Sequence, residues 1–341
     1  MRVPNLSGLL ISTVIALASS VLITPLSISA APIKVGVVTW IGYGPLYIAD
    51  KLGTFKKYGV DVKLVKFQDP ALIPAAIESN ALDGGTLTYD EVIGVTAKGW
   101  KHPAVLTLDY SNGADAIVVD SSINSVKDFK GKKVAFNPLS PSDFLLSYAL
   151  QKNNMTQKDI QPANMSPEAV PATLISGAAL IGVTYEPSVS QILSVKSQRT
   201  FKVIFSSKDA PGLITDVLSF KKDYISKHPK EVKSIIQAYL DSLDYMKKNP
   251  KEANIIIGKW MDLSEKDVQA QLPGVFNPNL KEMMSNFTKS NKIDSFYQSG
   301  PLISDVLIRK KQITKGPNIE ETIDTQFLTE LLKNSPVSVK P

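Results

Sequence analysis

The chain contains no cysteine among its 341 residues, only two histidines, His102 and His228, and only three arginines, Arg2, Arg199 and Arg309. Without cysteine there is no disulfide, no thiolate metal site and no thiol nucleophile. Folding must then rest on an apolar core, which a chain of this length can supply. Neither histidine stands at a metal-ligand spacing or near a G-x-S-x-G serine; each reads as a surface or capping residue. Glycine-rich phosphate loops are missing too, because Gly42-Tyr43-Gly44 lacks the third glycine and the P-loop lysine. The expectation is therefore a protein that is not an enzyme and carries no cofactor and no metal. After residue 31 no apolar run is long enough to span a bilayer. The formal net charge of +6 is carried by scattered lysines such as Lys221-Lys222, Lys247-Lys248 and Lys310-Lys311. Phosphate and base recognition lean on arginine forks, so nucleic acid is not an expected partner.

What is present begins with an export signal. Arg2 gives a positive start, Leu9–Leu26 is mostly apolar, and Ser29-Ala30-Ala31 supplies small residues for cleavage. An uncleaved anchor is the alternative, and Pro25 with the small residues after it favours cleavage. No cysteine follows, so a lipoprotein is not expected. These features predict residues 1–31 as a signal peptide and a soluble periplasmic monomer.

Behind the signal, Ile33–Thr39 alternates as a strand, Gly42-Tyr43-Gly44-Pro45 turns into a Pro-started helix, and Val60–Phe67 returns as a strand. That βαβ unit presents a helix N-terminus at the carboxyl end of the sheet, where ligands sit in open α/β folds. Strands and helices alternate onward, which predicts an α/β fold in two lobes with a ligand cleft between them. Val60–Phe67, Gly85–Thr88, Ala104–Asp109 and Ala116–Val119 read as strands of one lobe. Lys132–Asn137 opens a second series, followed by a helix over Pro141–Asn153 with Ser140 as N-cap and Asp143 completing a capping box. Pro167–Ser176 reads as a helix, with Leu180–Thr184 and Phe201–Ser206 as strands. The chain returns to the first lobe near Ile214–Phe220. Val232, Ile235, Ile236, Tyr239, Leu240, Leu243 and Met246 then fall at helical spacing as core. Pro250–Met261, Glu265–Gln271 and Glu320–Leu332 read as further helices, before a polar tail. The expected lobes are 32–116 with 217–341, and 117–216. A weak repeat links them: Ser79–Asp90 resembles Ser176–Glu186, each running from a helix end through a short strand to Thr-Tyr-acid.

The opening Trp40-Ile41-Gly42-Tyr43-Gly44-Pro45 resembles the W-x-G-Y-x-P turn of solute-binding proteins of ABC importers in the nitrate/sulfonate/taurine (SsuA/THI5-like) group. The resemblance continues through Leu108–Asp115, Thr184-Tyr185-Glu186-Pro187 and Phe205–Leu218, and covers roughly Ile33 to Trp260. It implies a type II-like periplasmic-binding-protein fold, capture of a small polar solute, and delivery to an inner-membrane permease. One branch of that fold makes thiamine pyrimidine with a cysteine-rich iron motif, which a chain without cysteine does not share. Where family members show Trp-Glu-Pro this chain has Tyr185-Glu186-Pro187. It also has Ala178-Ala179-Leu180-Ile181 where an aspartate often follows the helix.

Acids mark the expected cleft. Asp90, Glu91, Asp109, Asp115, Asp143, Glu186 and Asp216 fall at or just past strand ends or lobe crossings. Each alone reads as a loop acid or cap, and for Asp143 capping is the stronger single role. As a set they bias the cleft toward a cation, on which the faces of Trp40, Tyr43, Tyr89 and Tyr185 can pack. Helix N-termini after Gly44 and Ser140, with Ser140, Ser142 and Asn112, offer donors to an oxyanion. The candidate ligand-binding residues are Trp40, Gly42, Tyr43, Thr88, Tyr89, Asp90, Asp109, Asn112, Asp115, Ser140, Ser142, Asp143, Tyr185, Glu186 and Asp216. They predict an amine-bearing or zwitterionic solute of the aminosulfonate type, with the ammonium facing Asp109 or Glu186. Alternatives are an alkanesulfonate, nitrate or a thiamine-pyrimidine-like ligand, a ligand-sensing module, or an enzyme on the same fold.

Overall fold

The computed structural model describes Met1 and residues 31–334. The expected signal peptide and the extreme C-terminal tail lie outside the described residues.

Eleven strands were located among those residues: β1 (Ile33–Val37), β2 (Val62–Lys66), β3 (Gly84–Thr88), β4 (Ala104–Ser111), β5 (Asp115–Asp120), β6 (Lys133–Phe136), β7 (Gln161–Asn164), β8 (Ile181–Tyr185), β9 (Phe201–Ser206), β10 (Thr215–Phe220) and β11 (Val275–Phe276). They form two sheets, ordered β11-β4-β10-β3-β1-β2 and β7-β6-β8-β5-β9. In each sheet one strand pairs parallel on one side and antiparallel on the other: β3 with β1 and β10, β8 with β6 and β5. The antiparallel partner is in both cases a strand next to a crossing between sheets. Among the described residues no helix is long and apolar enough to cross a membrane.

The internal repeat is longer than the sequence match. A 3-10 turn over Pro70–Leu72 leads into a helix over Ile73–Glu78 and then β3; a 3-10 turn over Pro167–Ala169 leads into a helix over Val170–Ile175 and then β8. Each helix carries Pro at its start, Pro74 and Pro171. Each lies directly on a strand glycine. A Cβ on Gly85 would come within 2.6 Å of Ile73, and one on Gly182 within 2.5 Å of Leu174. Close helix–strand contact therefore needs glycine at both places.

The strand read at Ala116–Val119 belongs to the second sheet, where β5 pairs with β8 and β9. A hairpin from β4 would have kept it in the first. Instead Gly113 adopts φ +112°, open to glycine, and the peptide N–H groups of Asn112 and Ala114 both donate to the Gly274 carbonyl. The chain thus passes from one sheet to the other within a few residues. The return from β9 to β10 runs alongside: Ser111 Oγ and Ser207 Oγ lie 2.8 Å apart, and the Gly113 N–H donates to Ser207 Oγ at 2.6 Å.

The helix Pro229–Lys248 buries Val232, Ile235, Ile236, Tyr239 and Leu243 as its spacing predicts. Two further helices, Leu280–Asn286 and Phe296–Arg309, were not legible in the sequence; the second contains Gly300 and Pro301, which read as breakers. His102 is a correction: its ring is fully buried, with Nε2 2.8 Å from Glu78 Oε2. His228 does sit at the start of the long helix.

Candidate functional site

Past the carboxyl ends of parallel strands in both sheets the chain leaves a small cavity of ≈ 20 Å³. Val38 and Trp40 reach it from the end of β1, Pro70 from beyond β2, Thr86, Thr88 and Glu91 from β3 and the helix Tyr89–Ala97, and Ile214 and Asp216 from the start of β10. From the second sheet come Asp115 at the start of β5, Tyr185 at the end of β8, and Pro141 at the start of the helix Pro141–Lys152. Asp115 and Tyr185 are register partners, so the same rung of the second sheet delivers both.

The β1 turn is built around a buried carboxylate. Trp40 is extended, at φ −141° and ψ 133°, and its Nε1–H donates to both oxygens of Asp109 at 3.1 Å. Gly42 lies against this pair: a Cβ there would stand 2.2 Å from Asp109 Oδ2 and 2.5 Å from Trp40 Nε1. Its role in the closed arrangement is steric, since no side chain fits. Asn277 Nδ2 donates to the carbonyls of Gly42 and Leu108 at 2.8 and 3.0 Å, and Tyr239 Oη donates to the Leu108 carbonyl at 2.6 Å. Tyr43 Oη donates to Asp216 Oδ1 at 2.5 Å.

On the facing side, Glu91 Oε2 accepts the Thr88 N–H at 2.9 Å, as a T-x-x-E start to the helix implies. Its other oxygen, Oε1, is buried without a hydrogen-bond partner among the described residues, and so is Tyr185 Oη. The Tyr185 ring meets the Trp40 ring edge-on, centroids 5.6 Å apart.

The electrostatics are one-sided. None of the lining residues is Lys, Arg or His. Burial pushes the Asp109 carboxyl up to about 8, with the nearby Asp115 charge adding to it and the Trp40 bond opposing it. Burial likewise raises Asp115 to about 7, helped by Asp90 and Glu186, and Asp90 to about 6. Asp216 and Glu91 are held well above the carboxylate range, first by burial and then by the neighbouring acids Asp109 and Asp90 respectively. Several carboxyls gathered in a dry space resist ionising together unless a cation joins them.

Of the candidate residues, Trp40, Tyr43, Thr88, Asp115, Tyr185 and Asp216 line the space, and Gly42 and Asp109 pack directly behind Trp40. The others do not line the space. Tyr89 stacks on Phe296 at 4.0 Å and its Oη is 2.7 Å from Thr322 Oγ1. Glu186 accepts from the Ser190 N–H and hydroxyl at 2.9 and 2.8 Å, which ties it to the helix Ser188–Ser194. Asn112 is exposed on the crossing connection. Ser140 Oγ donates to the Asn137 carbonyl at 2.7 Å, away from the helix it was expected to cap. Asp143 accepts the Leu139 N–H at 2.8 Å and a bond from Gln157, and its Oδ2 is 2.7 Å from Lys310 Nζ. Asp90 and Ser142 are buried, each with a side-chain oxygen lacking a hydrogen-bond partner among the described residues, but neither lines the space.

Glu91 stands in the sequence among the acids but not among the candidate ligand residues; its T-x-x-E context was the available signal. Asn277 and Tyr239 carried none, because they reach the site only through tertiary packing.

The NMT1/THI5-like family profile matches residues 40–253. The chain is 24% identical to the taurine-binding periplasmic protein of Escherichia coli strain K12 over 64% of its own length and 68% of that protein. It is 26% identical to a putative thiamine biosynthesis protein of Haemophilus influenzae over 46% of its own length, and spans about half, 50%, of that relative. Among solved structures, the periplasmic aliphatic sulphonate binding protein SsuA from Escherichia coli superposes with a TM-score of 0.67 at 18% identity, covering 88% of this chain and 100% of that one. The fold is thus the two-lobed one of periplasmic binding proteins.

Proposed function

We propose, for a chain that belongs to the NMT1/THI5-like family, that it is the solute-binding component of an ABC importer and that its ligand is an amine-bearing or zwitterionic organic solute. In this reading the protein works in the periplasm as a monomer, captures the solute, and hands it to a membrane permease. It is a binder and not an enzyme. The lobes divide at the crossings, with the chain through Ser111 and from Thr215 onward in one and Asp115–Ser206 in the other, a few residues from the expected 116/117 and 216/217 boundaries, and they close by hinge motion at the paired crossings near Ser111 and Ser207.

One observation carries the ligand class: Glu91, Asp115 and Asp216 line the space together with no basic residue. An ammonium group turns the cost of burying those carboxyls into attraction, and the Trp40 and Tyr43 rings offer it aromatic surface. A bare sulfonate or nitrate leaves those carboxyls protonated and gains no charge pairing from them. Contacts from both lobes also give the ligand the differential affinity for the closed form that drives closure.

The test is mass spectrometry of the small molecule that co-purifies from the periplasm, followed by calorimetry with the wild type and with Asp115→Asn. Removing one partner of a buried charged contact costs about 2–5 kcal/mol, so binding should fall by well over tenfold. Recovery of nitrate or a plain alkanesulfonate, bound equally well by the variant, overturns the reading.

A further inference from the structure

We propose that the ion pair between Asp143 and Lys310 is a latch between the lobes, which favours their closed arrangement and must break before a solute can enter. This rests on the two-lobed reading above and goes beyond it, because hinge motion by itself does not say what holds the lobes together.

The cavity shows why entry needs the lobes to part. At ≈ 20 Å³ it has room for about one water. Beside it the Trp40 and Tyr185 rings, one from each sheet, meet edge-on with centroids 5.6 Å apart. An organic solute of several heavy atoms therefore enters only after these surfaces separate.

Asp143 and Lys310 stand on opposite sides of that seam. Asp143 lies in the first turn of the helix Pro141–Lys152, which packs on β5 and β8 of the second sheet. Lys310 follows the helix Phe296–Arg309, which packs on the helix after β3 of the first sheet, with Phe296 stacked on Tyr89. Lys310 Nζ meets Asp143 Oδ2 at 2.7 Å, with side chains 11% and 5% exposed. Further along the same two helices, Gln151 Nε2 donates to the Val306 carbonyl at 3.3 Å. The lobes are thus tied at two points along one helix pair.

Each partner also has support on its own side. The Leu139 N–H donates to Asp143 Oδ2 at 2.8 Å and Gln157 Nε2 donates to Oδ1, so the carboxylate is aimed before the lobes meet. Closing then costs Asp143 little side-chain freedom. The same bonds offset the desolvation that opposes a buried ion pair. Across the seam, the Lys310 charge also acts on the Asp90 carboxyl of its own lobe. Opening returns both groups to water and leaves these local partners in place, so the latch is reversible. Lys57 and Asp241 make the contrasting pair: also 2.8 Å apart, but within one lobe and with side chains 67% and 41% exposed.

Because the chain has no cysteine, opening can be read from one introduced thiol. Thr86 lines the cavity and is 3% exposed. Thr86→Cys in the full periplasmic protein places a thiol that iodoacetamide reaches through the open form. The alkylation rate, followed by mass spectrometry with each fold checked by circular dichroism, then measures the open fraction. Adding Asp143→Asn should speed alkylation by at least about tenfold, the low end of couplings between close charge pairs across an interface. Adding Asp241→Asn instead should leave the rate unchanged. Alkylation at equal rates in all three proteins, or equal acceleration by Asp241→Asn, overturns the latch and leaves hinge closure standing. No alkylation of any native protein, with full labelling after unfolding in urea, overturns the latch and hinge closure alike.

Discussion

The Trp40 indole stands at 87° to the Tyr185 phenol ring, centroids 5.6 Å apart, and this edge-on contact joins the turn after the first strand to the last residue of β8 in the other sheet. Each ring has a second commitment. Trp40 donates to Asp109 behind it, whereas the Tyr185 hydroxyl is buried with no hydrogen-bond partner among the described residues. The aromatic pair is therefore a wall whose polar end on the second-sheet side has no hydrogen-bond partner among the described residues.

Tyr185→Phe keeps that ring contact and deletes the open hydroxyl. Its melting temperature should stay close to that of the wild type, while affinity for the native solute drops by about tenfold, the worth of one hydrogen bond to a charged donor. Isothermal calorimetry beside a thermal melt separates the two; unchanged affinity would remove Tyr185 Oη from the site.

Gly42→Ala inserts a methyl where it would lie 2.2 Å from Asp109 Oδ2 and 2.5 Å from Trp40 Nε1. Overpacking of this kind costs about 1–3 kcal/mol. The variant should unfold at lower denaturant and lose the Trp40 fluorescence of the wild type, because the indole must leave Asp109. A spectrum and midpoint identical to the wild type would show that the turn yields without cost.

Asp109 and Asp115 make the empty protein sensitive to pH. Their folded-state values are raised, to about 8 and about 7, above an unfolded value of 3.8, so the folded state holds the protons more tightly. That contribution to stability is fully present below about pH 4 and is lost as pH rises through about 7 to 8. Thermal melts of solute-free protein should show Asp109→Asn flattening this fall. A cationic solute should reverse the trend, binding more tightly as the acids ionise and releasing protons measurable by calorimetry in buffers of different ionisation heat.

Lys310 Nζ meets Asp143 Oδ2 at 2.7 Å with side chains only 11% and 5% exposed. Lys310 follows the helix Phe296–Arg309, and Asp143 lies on the helix after β6, so the pair connects two distant parts of the chain. Lys310→Met strands a buried carboxylate and should destabilise by about 3–5 kcal/mol in urea unfolding. Adding Asp143→Asn to that variant should restore much of the loss. A double variant no more stable than the single one would mean that the ion pair is not the source.

Much of this protein was legible in residue order. The αβ alternation, the Trp40–Pro45 turn, the helix from Pro229 and the helix Glu265–Gln271 follow from local periodicity and capping, which act between near neighbours. Sequence also marked six of the residues that line the space, because strand ends in such folds carry ligands. Other features were decided by contacts between segments far apart. Asp115–Asp120 joined the second sheet because Gly113 and the Gly274 carbonyl redirect the chain there. Helix Phe296–Arg309 formed through Gly300 and Pro301 because tertiary packing outweighs local breaker chemistry, with Ile319 so close to Gly300 that a Cβ would lie 2.4 Å from it. Glu186, expected to face an ammonium, and Asp143, for which capping was the stronger reading, are engaged by Ser190 and Lys310 respectively, contacts that residue order does not show. An acid's position along the chain is local information, whereas which partner neutralises it depends on what folding brings within a hydrogen bond's length.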